Sequence, residues 1–149
     1  MLYLGADHGG FPLKEKIKKY LEAREISFVD LGPYQADPAD DYPDYARKVA
    51  GKVAAHPAGD VGVLLCRSGQ GMCVAANKVK GVRAVSAWNE RLAFSTRNDD
   101  FANVLCLAGD YLTLRQAEKI LHTFISTPFS KAARHKRRVA KVKKLETAF

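Results

Sequence analysis

Short apolar runs alternate with stretches of helical periodicity along the chain. Residues 2–4 (Leu-Tyr-Leu) read as a first strand that runs into Gly5-Ala6-Asp7-His8-Gly9-Gly10. A helix follows, with Leu13, Ile17, Tyr20 and Leu21 on one stripe and Lys14, Lys18 and Lys19 toward water. Residues 26–31 form a second expected strand, closed by Gly32-Pro33. Segment 35–45, rich in aspartate and carrying two prolines, reads as a loop leading into a helix near 45–56. The dense apolar run 61–66 suits a strand buried on both faces. It passes directly into Arg67-Ser68-Gly69-Gln70-Gly71 and then into a helix-compatible stretch over 72–78. Two more strands are expected at 82–87 and 104–108 around a helix at 89–97, and helices near 114–125 and 131–145 complete the pattern. This strand–helix alternation predicts an α/β fold: a three-layer sandwich around a mainly parallel five-stranded sheet with right-handed crossovers. No composition break divides it, so residues 1–149 are expected to form one domain.

Composition narrows the class. With 149 residues, 47% apolar and 27% charged, the chain can bury a substantial core, which argues against disorder and against a membrane protein. No apolar run approaches the roughly 20 residues needed to cross a bilayer. The start lacks the pattern of a secretory leader, and three scattered cysteines, Cys66, Cys73 and Cys106, make no disulfide framework. A cytoplasmic protein with reduced thiols is the expectation.

The net charge of +8 changes the picture only once it is located. Residues 1–130 carry 16 basic and 15 acidic side chains, whereas residues 131–149 carry eight basic ones against Glu146 alone. That excess is open to three readings: a phosphate-binding helix, a nucleic-acid patch or a solvated end. Arg134 and Arg138, four apart, would share a helical face and could hold a phosphate from two sides, with Lys141 nearby. Val139, Val142 and Leu145 would give the same helix an apolar side for docking. The chain has no zinc finger, KH signature or aromatic platform, which weighs against nucleic acid.

Open parallel sheets bind ligands beyond the carboxyl ends of their strands, where strand order reverses. Neighbouring first and third strands would bring Asp7-His8 and the turn from Cys66 to Gly71 to one crevice. Cys66, at a strand end beside a glycine turn, lies in a context that favours a thiolate able to take a proton or attack a carbonyl. A buried, inert thiol is the alternative, and Cys73 and Cys106 are expected to be packing residues. Ser68-Gly69-Gln70-Gly71 matches neither a nucleotide phosphate loop nor GxGxxG, but its amides could stabilise an oxyanion. Asp7 and His8 could handle hydroxyls, protons or a phosphate, or could be a helix cap and a surface histidine. His56, His122 and His135 do not cluster at metal-ligand spacing, so no metal is expected.

Several separated motifs, in order, resemble the family of ribose-5-phosphate isomerase B and galactose-6-phosphate isomerase. They are Gly5 to Phe11 with Leu13-Lys14, Asp41-Tyr42-Pro43-Asp44-Tyr45-Ala46, Cys66 to Gly71, Ala75-Ala76-Asn77-Lys78, Gly81-Val82-Arg83-Ala84, Asn103-Val104-Leu105, and Arg134-His135 with Arg138-Val139. The resemblance implies a Rossmann-like sandwich and reversible aldose–ketose isomerisation of a sugar phosphate through a cis-enediol, without metal or organic cofactor. Ribose 5-phosphate and ribulose 5-phosphate are the default pair. Another aldose phosphate, a hexose or tetrose, is the alternative, as is a weakly active sugar-phosphate binding protein. By the same resemblance Cys66 is the base, and Ser68 with the amides from Gly69 through Gly71 to Cys73 steadies the enediolate. Asp7 holds hydroxyls, His8, Arg134 and Arg138 hold phosphate, and Tyr42 and Asn77 line the pocket. A homodimer or higher homo-oligomer with composite sites is also implied.

Four positions depart from that family. A gapless match puts Asp99 where a ring-opening histidine is usual, followed by Asp100, with Phe101 at an acidic position, and a one-residue shift would offer Asn98 instead. Asp110 replaces a common phosphate-binding arginine, while Arg67 replaces a glycine and would return positive charge.

Overall fold

The computed structural model describes residues 1–148. In chain order the strands are β1 (Leu2–Ala6), β2 (Phe28–Asp30), β3 (Val61–Cys66), β4 (Ala84–Ser86) and β5 (Val104–Ala108). The helices are α1 (Phe11–Glu22), α2 (Tyr42–Ala55), α3 (Gln70–Ala76), α4 (Glu90–Asp100), α5 (Leu114–Ser126) and α6 (Ala133–Leu145). All strand pairs are parallel, in the order β2-β1-β3-β5-β4. The expected α/β sandwich with a five-stranded sheet is therefore the observed one.

Side-chain alternation along the central strands builds the three layers. Val63 and Leu65 of β3 and Leu105 and Leu107 of β5 pack with Leu13, Ile17 and Leu21 of α1 and with Ile120, Leu121 and Phe124 of α5. Their neighbours Leu64, Cys66, Val104 and Cys106 face the other way, onto Val49 and Val53 of α2 and Met72 and Ala76 of α3. Cys66 thus belongs to the α2–α3 layer. No helix in the described residues is long and apolar enough to cross a membrane.

The structure corrects several expectations. Lys14 does not face water: it is fully buried, and its Nζ donates to both Asp30 carboxylate oxygens (2.8 and 2.9 Å) and to the Pro33 carbonyl (2.6 Å). Burial pushes the Asp30 carboxyl up, but hydrogen bonds from Lys14, Lys18 and the Gly32 amide outweigh it and hold the group below its ordinary range. These bonds tie α1 to the end of β2 and to the loop after it. Helix α2 begins at Tyr42 rather than near 45, because Pro43 in its first turn is preset for helix and has no amide to lose there. Helix α4 runs on to Asp100, where Phe101 adopts a left-handed φ of 54°. Both flanking strands are short, three residues each in β2 and β4.

Candidate active site

Cys66 ends β3, and the adjacency of β1 and β3 brings three loops together around it. The Asp7 amide donates to the Leu65 carbonyl (3.1 Å), the Gly109 amide to the Cys66 carbonyl (2.7 Å) and the Asp110 amide to the Arg67 carbonyl (3.0 Å). Only glycine fits at position 10, because a Cβ there would strike the Leu65 carbonyl. This packing fixes the loop after β1 against the end of β3.

The thiol is 5% exposed, and its Sγ accepts a hydrogen bond from the Gly69 amide at 3.1 Å. Gly69 adopts a φ of 75°, with the Leu107 carbonyl carbon 3.2 Å from where a Cβ would stand, so a side chain would be both strained and crowded. That backbone turn aims an N–H at the sulfur. Ser68 is half-buried and its Oγ accepts from the Gln70 amide at 3.3 Å. The expected cradle of amides from Gly69 to Cys73 is partly committed: Gly69 serves Cys66, and the Cys73 amide closes onto the Gly69 carbonyl at 3.2 Å. The amides of Gly71 and Met72 remain in the first turn of α3 without an intrahelical acceptor. The Tyr42 ring lies over that turn, 3.0 Å from where a Cβ on Gly71 would stand.

Asp7 is buried, and its Oδ1 accepts from the Gly10 amide at 2.9 Å, holding the glycine turn that enters α1. His8 beside it is gripped by Asp40, a residue that sequence reasoning did not single out. Asp40 Oδ1 lies 2.7 Å from His8 Nδ1 and accepts from the His8 amide at 3.1 Å. Arg67 does bring positive charge to this end of the sheet, but Asp110 answers it, with Arg67 Nη1 3.4 Å from Asp110 Oδ2. Both side chains are largely in water.

The other expected site residues lie elsewhere in the same chain. Asp99 and Asp100 end α4 and immediately precede the amino end of β5, whereas Cys66 pairs with Ala108 at the carboxyl end of β5. That strand alone separates the two levels by about 13 Å. The start of α6 is tied to the first of these levels: the Ser130 amide donates to the Asn98 carbonyl (3.1 Å), and buried His135 has Nδ1 2.6 Å from Ser130 Oγ and 3.6 Å from Asp99 Oδ1. Asn98 Nδ2 also donates to Asp99 Oδ1 at 2.6 Å. Although Asp99 itself supplies no imidazole, one stands behind it. Arg138 and Asp100 border a groove of about 560 Å³ with Val82, Val139, Val142 and Leu145. The apolar side of α6 expected to dock thus lines an open groove, with Val142 and Leu145 about half exposed. Within one chain Arg134, Arg138, Asp99 and Asp100 do not reach Cys66.

Asn77, expected among the pocket residues, ends α3 and faces β4. Its Oδ1 accepts from the Ala84 amide (2.8 Å) and its Nδ2 donates to the Ala84 carbonyl (2.9 Å), which splices β4 to α3. Cys73, expected as a packing residue, is half-buried, and its Sγ donates to the Ala84 carbonyl at 3.3 Å. Its hydrogen bond with Cys106 lowers its pKa to about 7 against the opposing effect of burial, while Cys106, wholly buried, is pushed well up. The sequence signal for this was their common face: Cys106 aligns with Leu64 across the sheet, on the side that α3 covers. Among the described residues no group of three or more His, Cys, Asp or Glu is placed to hold a metal ion.

A sequence profile of the family described as Ribose/Galactose Isomerase matches residues 2–142. The probable ribose-5-phosphate isomerase B of Mycoplasma genitalium is 41% identical over 145 residues, covering 97% of this chain and 95% of that protein. Ribose-5-phosphate isomerase B of Mycobacterium tuberculosis is 38% identical over 138 residues, covering 93% and 85%. Among solved structures, ribose-5-phosphate isomerase B from Mycoplasma genitalium with bound ribulose 5-phosphate superposes with a TM-score of 0.95 at 40% identity, covering 99% of this chain and 97% of the other. The type B ribose 5-phosphate isomerase of Trypanosoma cruzi gives 0.92 at 37% identity, covering 99% and 96%.

Proposed function

Because the chain belongs to the ribose/galactose isomerase family, we propose that it interconverts D-ribose 5-phosphate and D-ribulose 5-phosphate, with Cys66 as the base. The observation that carries this reading is the Cys66 thiol at the carboxyl end of β3, hydrogen-bonded by the Gly69 amide. In the open-chain aldose the thiolate takes the proton from C2, and the C2–H electrons form the C1=C2 bond. The carbonyl oxygen takes up the displaced pair and a proton, giving the cis-enediol. Returning a proton to C1 while the C2 hydroxyl becomes a carbonyl completes the ketose. Ser68 and the free amides of Gly71 and Met72 steady the oxygen on which charge develops. Asp7 holds substrate hydroxyls and Tyr42 closes one wall. His8 meets the phosphate, anchoring the substrate at the end remote from the reacting carbons.

The separation of Asp99, Asp100, Arg134 and Arg138 from Cys66 supports a homodimer with composite sites. A second copy then brings those four residues to the crevice of the first, and its two-fold symmetry makes two equivalent sites. Asp99 in this arrangement takes the anomeric hydroxyl proton during ring opening. Ribulose 5-phosphate cannot close a furanose ring, since its C5 oxygen carries the phosphate. Asp99→Asn is therefore expected to slow the conversion of ribose 5-phosphate by about tenfold or more, while leaving exchange of the C1 protons of ribulose 5-phosphate with deuterated solvent unchanged. Equal loss of both would remove Asp99 from ring opening.

A specific observation, the Arg67–Asp110 pair, favours a second reading in which the preferred sugar phosphate is not the pentose. Initial rates on tetrose, pentose and hexose phosphates decide between them, and the pentose is expected to turn over best. Asp110→Asn frees Arg67 for the dianion, and its KM for ribose 5-phosphate is expected to fall about threefold to tenfold at low salt, with kcat little changed. A KM that stays put would show that Arg67 does not meet the phosphate.

A further inference from the structure

We propose that Asp40 is a positioning residue that sets the orientation and tautomer of His8 for the phosphate of the substrate, an inference that rests on the reading of His8 as a phosphate contact. Asp40 lies in the loop before α2, 32 residues from His8, and its side chain is only 6% exposed, against 30% for His8. Its Oδ1 grips His8 twice, accepting from the backbone amide and lying 2.7 Å from Nδ1. Its Oδ2 is buried with no hydrogen-bond partner. Among the described residues the one ion pair Asp40 makes is with this imidazole. The other groups beside that loop are Asp37, Asp41, Asp44, the Tyr45 hydroxyl, for which Asp40 is a hydrogen-bonding neighbour, and the cations Arg47 and Lys48, neither of which forms an ion pair with Asp40.

A carboxylate so nearly withdrawn from water is costly unless a hydrogen-bond donor or a cation answers it. An imidazole with a proton on Nδ1 answers it, and the ring is then turned so that Nε2 faces away from Asp40. A phosphate oxygen at Nε2 would then meet the opposite edge of the same ring, whose orientation Asp40 has fixed. The grip also ties two walls of the crevice together, since Tyr42, which covers the turn at Gly71, follows Asp40 by two residues.

Asp40→Asn keeps an acceptor at that place and removes the charge. It is expected to raise KM for ribose 5-phosphate about tenfold, with kcat within about threefold, and to weaken competitive inhibition by inorganic phosphate by a like factor. In a His8→Ala background the same substitution is expected to change neither quantity further. Nitrogen-15 spectra of the imidazole are expected to show Nδ1 protonated in the wild type and a mixture of tautomers in Asp40→Asn. An effect of Asp40→Asn that persists in full without His8, or a fall in kcat at constant KM, would overturn the proposal. The phosphate-binding and imidazole readouts need no turnover. A failure of the isomerase reading would therefore show as absent activity in the wild type, while a failure of this inference would show as Asp40 and His8 uncoupled in binding.

Discussion

Cys66→Ala is expected to lower turnover of ribose 5-phosphate by about 10²- to 10⁴-fold, with KM changed little. The thiol is the one group at the end of β3 able to carry a proton between adjacent carbons, and alanine leaves no acceptor there. Its environment is otherwise kept: the site is 5% exposed, the side chain packs among Leu64, Met72 and Cys106, and alanine is tolerated in such a layer. Loss of activity without loss of the folded state, read by initial rates beside a thermal melt, separates the base from a packing thiol. Cys73 is the internal control. Its pKa of about 7 makes it the more readily titrated of the other two thiols, yet Cys73→Ala is expected to retain activity within about threefold.

The second large effect comes from mixing inactive variants. Cys66→Ala removes the proposed base from one end of the sheet, and the double change Arg134→Ala with Arg138→Ala removes the proposed phosphate arm carried by α6 at the other. Each variant alone is expected to fall at least about 10²-fold. Unfolded together and refolded at equal amounts, they form half heterodimers, each with one site intact in both halves, and about a quarter of wild-type activity returns. Sites confined to one chain would give no recovery. The distance between the levels of Cys66 and Asp99, about 13 Å along β5 alone, is the reason to expect recovery.

Two of the three central strands could be read from the sequence to the residue, whereas β1 runs two residues past its expected span, to Ala6. Runs 61–66 and 104–108 coincide with β3 and β5, because a strand covered on both faces is apolar from end to end. The flanking strands, with less core to cover, are shorter than their apolar runs. Helical spacing places Lys14 toward water because it says nothing of Asp30, which reaches it from the next strand. Asp40 was missed for a similar reason: the loop that carries it is irregular, and no period links it to His8. Helix α6 showed its charge and its apolar stripe in the sequence, but not that the stripe would border a groove rather than a core. Arg67 illustrates the same limit for electrostatics, since its position was plain while its pairing with Asp110 was not. What local pattern encodes is which residues form an element; which of two distant charges meet is decided by the crossing of loops at the strand ends.

The most direct test of the account follows ribose 5-phosphate in deuterated water by proton magnetic resonance, with wild type and Cys66→Ala side by side. The account predicts ribulose 5-phosphate carrying solvent deuterium at C1 from the wild type, and neither product nor exchange above background from the variant. Product and deuterium appearing at the same rate in Cys66→Ala would contradict it.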